Sequence, residues 1–188
     1  MRLTALALAG AMLAVMTAPA EAAWATYANH KMGFYIEMPG KVTSETGIFA
    51  GKVSGPQQNI VFRSKDNNIT YEITVFNYVQ AKAVSATLLG EVEFNFQDKA
   101  KLLKDTFSRI KSGMDWVYGR KIVVDLPKGG RATGAFYFNK GYIFWLQTTA
   151  SPANGDYDSP DAARFLDSIR LDLSSTPKDA TELQLPAE

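Results

Sequence analysis

Apolar and polar positions alternate with period two along much of the chain. In "ITYEITVFNYV" (69–79), Ile69, Tyr71, Ile73, Val75 and Val79 share one side and Thr70, Glu72 and Thr74 the other. That predicts an antiparallel strand with one face partly wet. "GFYIEMPG" (33–40) repeats the pattern, with Phe34, Ile36 and Met38 opposite Tyr35 and Glu37 and with Gly33 and Pro39-Gly40 as bounds. "VTSET" (42–46) predicts an edge strand, and "NIVFRS" (59–64) another strand before the turn "KDNN". Further on, "GRKIVVDLP" (119–127) puts Ile122, Val124 and Leu126 on one face. The stretch 132–150 predicts a hairpin closed through Asn139-Lys140-Gly141, a three-residue loop with Gly141 in the left-handed position.

Helical spacing is confined to two places. After Ser85, Leu88, Leu89, Val92 and Phe96 line one face and predict a helix over 85–98. Phe96, Ala100, Leu103, Phe107 and Ile110 continue the spacing, yet Thr106, Phe107 and Ile110 also suit a strand, so 101–111 stays open between the two. "DAARFLDSI" (161–169) predicts a short closing helix and "IRLDL" (169–173) a last strand. Beyond it, "SSTPKDATELQLPAE" (174–188) is polar and aperiodic and is expected to be a flexible tail.

Composition then sets the compartment. Met1-Arg2, the apolar run Leu3 to Met16 and the small residues of "TAPAEAA" have the layout of a secretory signal peptide over 1–23. The run is short against the about 20 residues of a membrane span, so no stable membrane insertion is expected after cleavage. A single domain is expected over 24–173, in a periplasmic or secreted protein. The 188 residues include no cysteine, which removes disulfides, thiol nucleophiles and thiolate metal sites. A net charge of +1 without any basic run argues against nucleic acid as a partner.

Candidate chemistry is sparse. "NGDYDSPD" (154–161) spaces Asn154, Asp156, Asp158 and Asp161 as oxygen ligands for Ca2+ would be spaced. However, counting from Asn154, the glycine position of a calcium loop holds Ser159 and the bidentate glutamate position holds Phe165. A helix start explains the stretch better: Ser159 as N-cap, Pro160 in the first turn and Asp161 against the helix dipole. No other cofactor is expected. His30, the only histidine, lies in the polar approach "YANHKMG" and reads as a surface-loop residue. It leaves no histidine cluster for metal-assisted hydrolysis. "KGGR" (128–131) lacks the frame of a phosphate loop and reads as a turn. Acidic residues are numerous, but no spacing marks the carboxylate pair that a hydrolase would need. The aromatics Tyr35, Trp116, Tyr118, Tyr137, Tyr142 and Trp145 are the candidate interaction residues. Strand alternation sends Phe136 and Tyr137, and Phe144 and Trp145, to opposite faces. Either both faces are covered, or part of this set forms an exposed patch.

Four landmarks stand in order: Phe34-Tyr35-Ile36-Glu37-Met38-Pro39-Gly40, Gly119-Arg120-Lys121, the Phe136–Leu146 hairpin and Ala163-Arg164-Phe165-Leu166-Asp167-Ser168-Ile169. This order resembles a group of small uncharacterised periplasmic proteins of proteobacteria. They are similar in fold to the PsbP family, the extrinsic subunits of photosystem II. The resemblance implies an α+β fold, an antiparallel β-sheet with one or two packed helices in an α/β/α sandwich, and favours a strand for 101–111. It implies no catalytic residues. The expected function is that of an exported non-catalytic accessory factor of an envelope complex, acting through direct contact with another envelope protein. The alternatives are a small-ligand or divalent-ion binding module and a hydrolase with an unmarked carboxylate pair.

Overall fold

The computed structural model describes residues 22–79, 85–150, 157 and 159–186. Residues 1–21 of the expected signal segment lie outside that set. Two sheets and two helices make up the fold. Strands β3 (Thr43–Gly51), β4 (Gly55–Asp66), β5 (Ile69–Asn77), β6 (Lys101–Ser112), β7 (Asp115–Asp125), β8 (Arg131–Asn139) and β9 (Tyr142–Ala150) form one seven-stranded sheet in the order β3-β4-β5-β9-β8-β7-β6. Every neighbouring pair in it is antiparallel. Strands β1 (Trp24–Asn29), β2 (Phe34–Pro39) and β10 (Thr181–Glu182) form a small second sheet, with β1 in the centre.

Both faces of the central strands are covered, as period-two alternation requires when aromatics point each way. One face of the large sheet carries Tyr71, Ile73, Val75, Tyr137, Phe144 and Leu146, which pack on Phe34, Ile36 and Met38 of the small sheet and on Phe165 and Leu166. The last two belong to helix α2 (Pro160–Ser168). The other face carries Phe76, Ile122, Val124, Phe136 and Ile143, covered by Leu88, Val92 and Phe96 of helix α1 (Ser85–Gln97). Glu91 of α1 also fixes the β3–β4 hairpin. Its carboxylate accepts from the backbone N–H groups of Val53 at 2.6 Å and Ser54 at 3.2 Å. Burial pushes this carboxyl up, but the hydrogen bonds from Val53, Ser54 and Lys52 outweigh it and hold it below the usual glutamate range.

The structure decides the open segment. Residues 101–112 are a strand, because Lys99 takes the left-handed conformation at φ 61° and ends the helical run at Gln97. In β6, Ile110 then points to the core while Phe107 points outward. Other expectations need correction. Lys140 (φ 49°) and Gly141 (φ 83°) both adopt positive φ between the paired Asn139 and Tyr142. The hairpin loop is therefore the two-residue kind whose backbone matches strand twist, not a three-residue loop. The expected last strand at 169–173 is reduced to one bridge between Tyr35 and Arg170, followed by a 3-10 turn at Leu173–Ser175. The tail, expected to be flexible, returns to the small sheet. Thr181 and Glu182 pair in parallel with Tyr27 and Ala28, and Leu183 is buried.

Candidate protein-interaction surface

The outermost strand pair leaves one face without cover. Across β6 and β7, Lys111 faces Trp116, Arg109 faces Tyr118 and Phe107 faces Arg120. All six side chains project to the α1 side, at the margin of the helix, where Leu89 borders Trp116 and Tyr118 and Glu93 faces Arg120. Phe107 is 70% exposed, Tyr118 55% and Trp116 41%, and Met114 in the connecting turn is 97% exposed. Isolated apolar side chains are common on surfaces, but a contiguous set is not. Here the rings meet: the Phe107 and Tyr118 centroids are 5.5 Å apart. The Arg109 guanidinium lies 4.5 Å and the Lys111 ammonium 5.2 Å from the Trp116 centroid. Resting on the ring keeps both cations ordered beside the aromatics. Among the described residues neither joins an ion pair.

Two features border this surface. A groove of about 510 Å³ opens between the start of α1 and the β7–β8 strands, lined by Leu89, Trp116, Tyr118, Phe138 and Lys140 among others. On the other side, Arg120 is engaged by Asp105 through contacts of 2.8 and 2.5 Å. Glu93 of α1 lies against this pair with one buried carboxyl oxygen unpartnered. Burial pushes Glu93 up to about 7, with Arg120 acting downward and Asp105 upward. Because the folded state holds this proton more tightly than the unfolded chain, its stabilising effect is full below the unfolded value near 4.5 and fades as pH rises towards 7. Glu93→Gln is therefore expected to flatten the stability profile between pH 5 and 8 and to gain on the order of 2 kcal/mol over the wild type at pH 8. Thermal unfolding across that pH range checks it. Parallel profiles for the two proteins would contradict it.

The six candidate aromatics do not form one surface. Trp116 and Tyr118 lie together on it. Tyr137, in contrast, is fully buried on the opposite face, its hydroxyl 2.8 Å from Ser108 Oγ. Trp145 is packed under α1 between Phe76, Phe96 and Phe136. Tyr35 turns its hydroxyl to Ser175 Oγ at 3.1 Å, and Tyr142 packs against Phe144. Phe107, Arg109, Lys111 and Met114 were missed. Assigning 101–111 to a strand would have exposed Phe107, since it and Ile110 are three apart and must point oppositely.

Of the proposed oxygen ligands, Asn154, Asp156 and Asp158 lie outside the described residues. Asp161 sits in the first turn of α2, and its N–H donates to Ser159 Oγ at 3.2 Å. Pro160 opens the helix, so local geometry here follows helix capping. Among the described residues no group of three or more His, Asp or Glu converges as a metal site. His30 is exposed in the β1–β2 turn, with Nδ1 2.5 Å from Glu182 Oε2.

The solution structure of cyanobacterial PsbP (CyanoP) from Synechocystis sp. PCC 6803 superposes with a TM-score of 0.52 over 79% of this chain and 92% of that one. The chain has a PsbP-like fold. Identity over the match is 13%, so what the two share is the architecture. No family model matches the sequence. Nor does any curated protein. Within the PsbP-like frame, the covered core and the uncovered β6–β7 face are separate parts of one sheet. No helix among the described residues is long and apolar enough to cross a membrane.

Proposed function

We propose that this is an exported, non-catalytic protein that acts by binding another protein of the cell envelope through the Phe107–Trp116–Tyr118 surface. The observation that carries this reading is the set of exposed rings, with Phe107 and Tyr118 in contact and Met114 in the adjoining turn, on a strand pair whose other face buries Ile110 and Val117. Removing such a patch from water stabilises an interface by about 25 cal/mol per Å² of apolar area before the costs of association are met. Arg109 and Lys111, held on Trp116, add a charge preference. The fitting partner presents an apolar patch edged by carboxylates. Export is supported by the charged start and apolar run of the first 16 residues. A photo-crosslinking amino acid at Tyr118 in native envelopes is expected to trap one discrete partner. A crosslinker at the exposed Lys65, on the opposite part of the sheet, is expected not to trap it. Equal background from both positions would refute the reading.

The groove beside Trp116, Tyr118 and Phe138 favours a second reading, a small apolar ligand held at the same edge. Thermal denaturation with a panel of apolar metabolites and with Ca2+ distinguishes the two. The protein-binding reading expects no shift with either, and a Ca2+ shift reversed by chelator would favour an ion site instead.

A further inference from the structure

We infer that the outer edge of β1 is a docking site for an extended segment of a partner protein, one carrying a carboxylate followed by Leu-x-Leu, and that the chain's own residues 181–185 occupy it in cis. The seated segment defines the chemistry. Its backbone adds to β1 as a parallel strand, and the Leu183 N–H donates to Ala28 O at 2.7 Å. Asn29, itself buried, donates from Nδ2 to Leu183 O at 3.2 Å and accepts from Met32 N–H at 2.9 Å, so its amide is fixed to receive a strand. The Glu182 carboxylate takes the His30 backbone N–H at 3.1 Å and contacts its ring. Leu183 enters the main core and Leu185 packs on its margin. Main-chain bonds supply attachment and alternate side chains supply choice, as in strand addition generally.

Three observations show a seat that its occupant does not use fully. The ladder takes in only Tyr27 and Ala28, leaving Trp24, Ala25 and Thr26 of β1 outside it. The chain turns away before reaching them, with the Ala180 N–H bonded to Pro177 O. Open grooves of about 320 and 490 Å³ flank the segment, one beside Val42 and Phe62, the other beside Ile60 and Val75. A partner strand free of the Pro177 turn can run along more of β1 and so displace the tether. It must overcome a cis effective concentration on the order of millimolar, which makes the tail a self-ligand that sets a threshold for binding. This surface lies on the small sheet and is independent of the β6–β7 patch.

The test uses the full-length mature chain and a fluorescent peptide of its own residues 178–188, KDATELQLPAE. Leu183→Ser in the protein loosens the cis segment, and is expected to raise affinity for the peptide at least about tenfold over wild type. Serine at the position of Leu183 in the peptide should abolish binding, and adding His30→Ala to the loosened protein should weaken it. Glu182→Ala, on the exposed side of the strap, is the milder variant should Leu183→Ser fail to fold, with a gain in the same direction. Equal binding by the wild type and a folded loosened variant, or no binding by either, overturns the proposal. So does a wild-type dimer that the loosening variants convert to monomer, because the occupant would then be a second copy of this chain.

Discussion

Gly119→Ala is expected to destabilise the protein by about 3 kcal/mol or more, at the upper end of what an added methyl costs a packed site. Ser108, Gly119 and Tyr137 stand in one row across β6, β7 and β8. The Tyr137 side chain lies across Gly119 to bring its hydroxyl 2.8 Å from Ser108 Oγ. A Cβ on residue 119 would fall 2.6 Å from the Tyr137 ring and 1.9 Å from the Phe136 carbonyl oxygen. The second contact is with backbone, so no rotamer change relieves it. Tyr118 and Arg120 flank this position and point to the exposed side, which ties the surface to the packing beneath it. Chemical denaturation measures the loss, and a cost below about 1 kcal/mol would show that the row yields without strain.

Phe165→Ala is expected to be comparably severe, at about 3–5 kcal/mol. Phe165 is fully buried and meets Tyr71 edge-on at 5.6 Å. It is the residue through which α2 closes the core over β5 and β9. The twelfth position of "NGDYDSPDAARF" is thus occupied by a core side chain. A small loss in the same denaturation experiment would mean that α2 is not a structural closure.

What was legible in the sequence follows from what local patterns encode. Alternation in 69–77 fixed the burial of Ile69, Tyr71, Ile73 and Val75, and Ser159-Pro160-Asp161 announced α2 through capping chemistry. The PsbP resemblance favoured a strand for 101–111 where side-chain spacing left helix and strand open, and the structure decides for the strand. Alternation also separated Tyr137 from Phe136, but it does not reveal which sheet face a helix will cover. That is a tertiary fact, and it is why Tyr137 and Trp145 were grouped with Trp116 although both are packed inside. β10 was beyond reach for a different reason. Its two residues carry no period, and it exists because Leu183 finds the core and Asn29 receives its carbonyl.

At the β6–β7 face, binding and stability are separable. Phe107→Ser and Tyr118→Ser, together in the full chain, remove exposed rings and leave the buried row of Ser108, Gly119 and Tyr137 intact. Crosslinking from Trp116 in native envelopes, paired with thermal unfolding of the same protein, reads both quantities. The double variant is expected to keep the wild-type melting temperature within roughly 2 °C, as for a change of up to about 0.5 kcal/mol at the surface, and to lose the crosslinked partner. Retention of the partner by a stably folded double variant would contradict it.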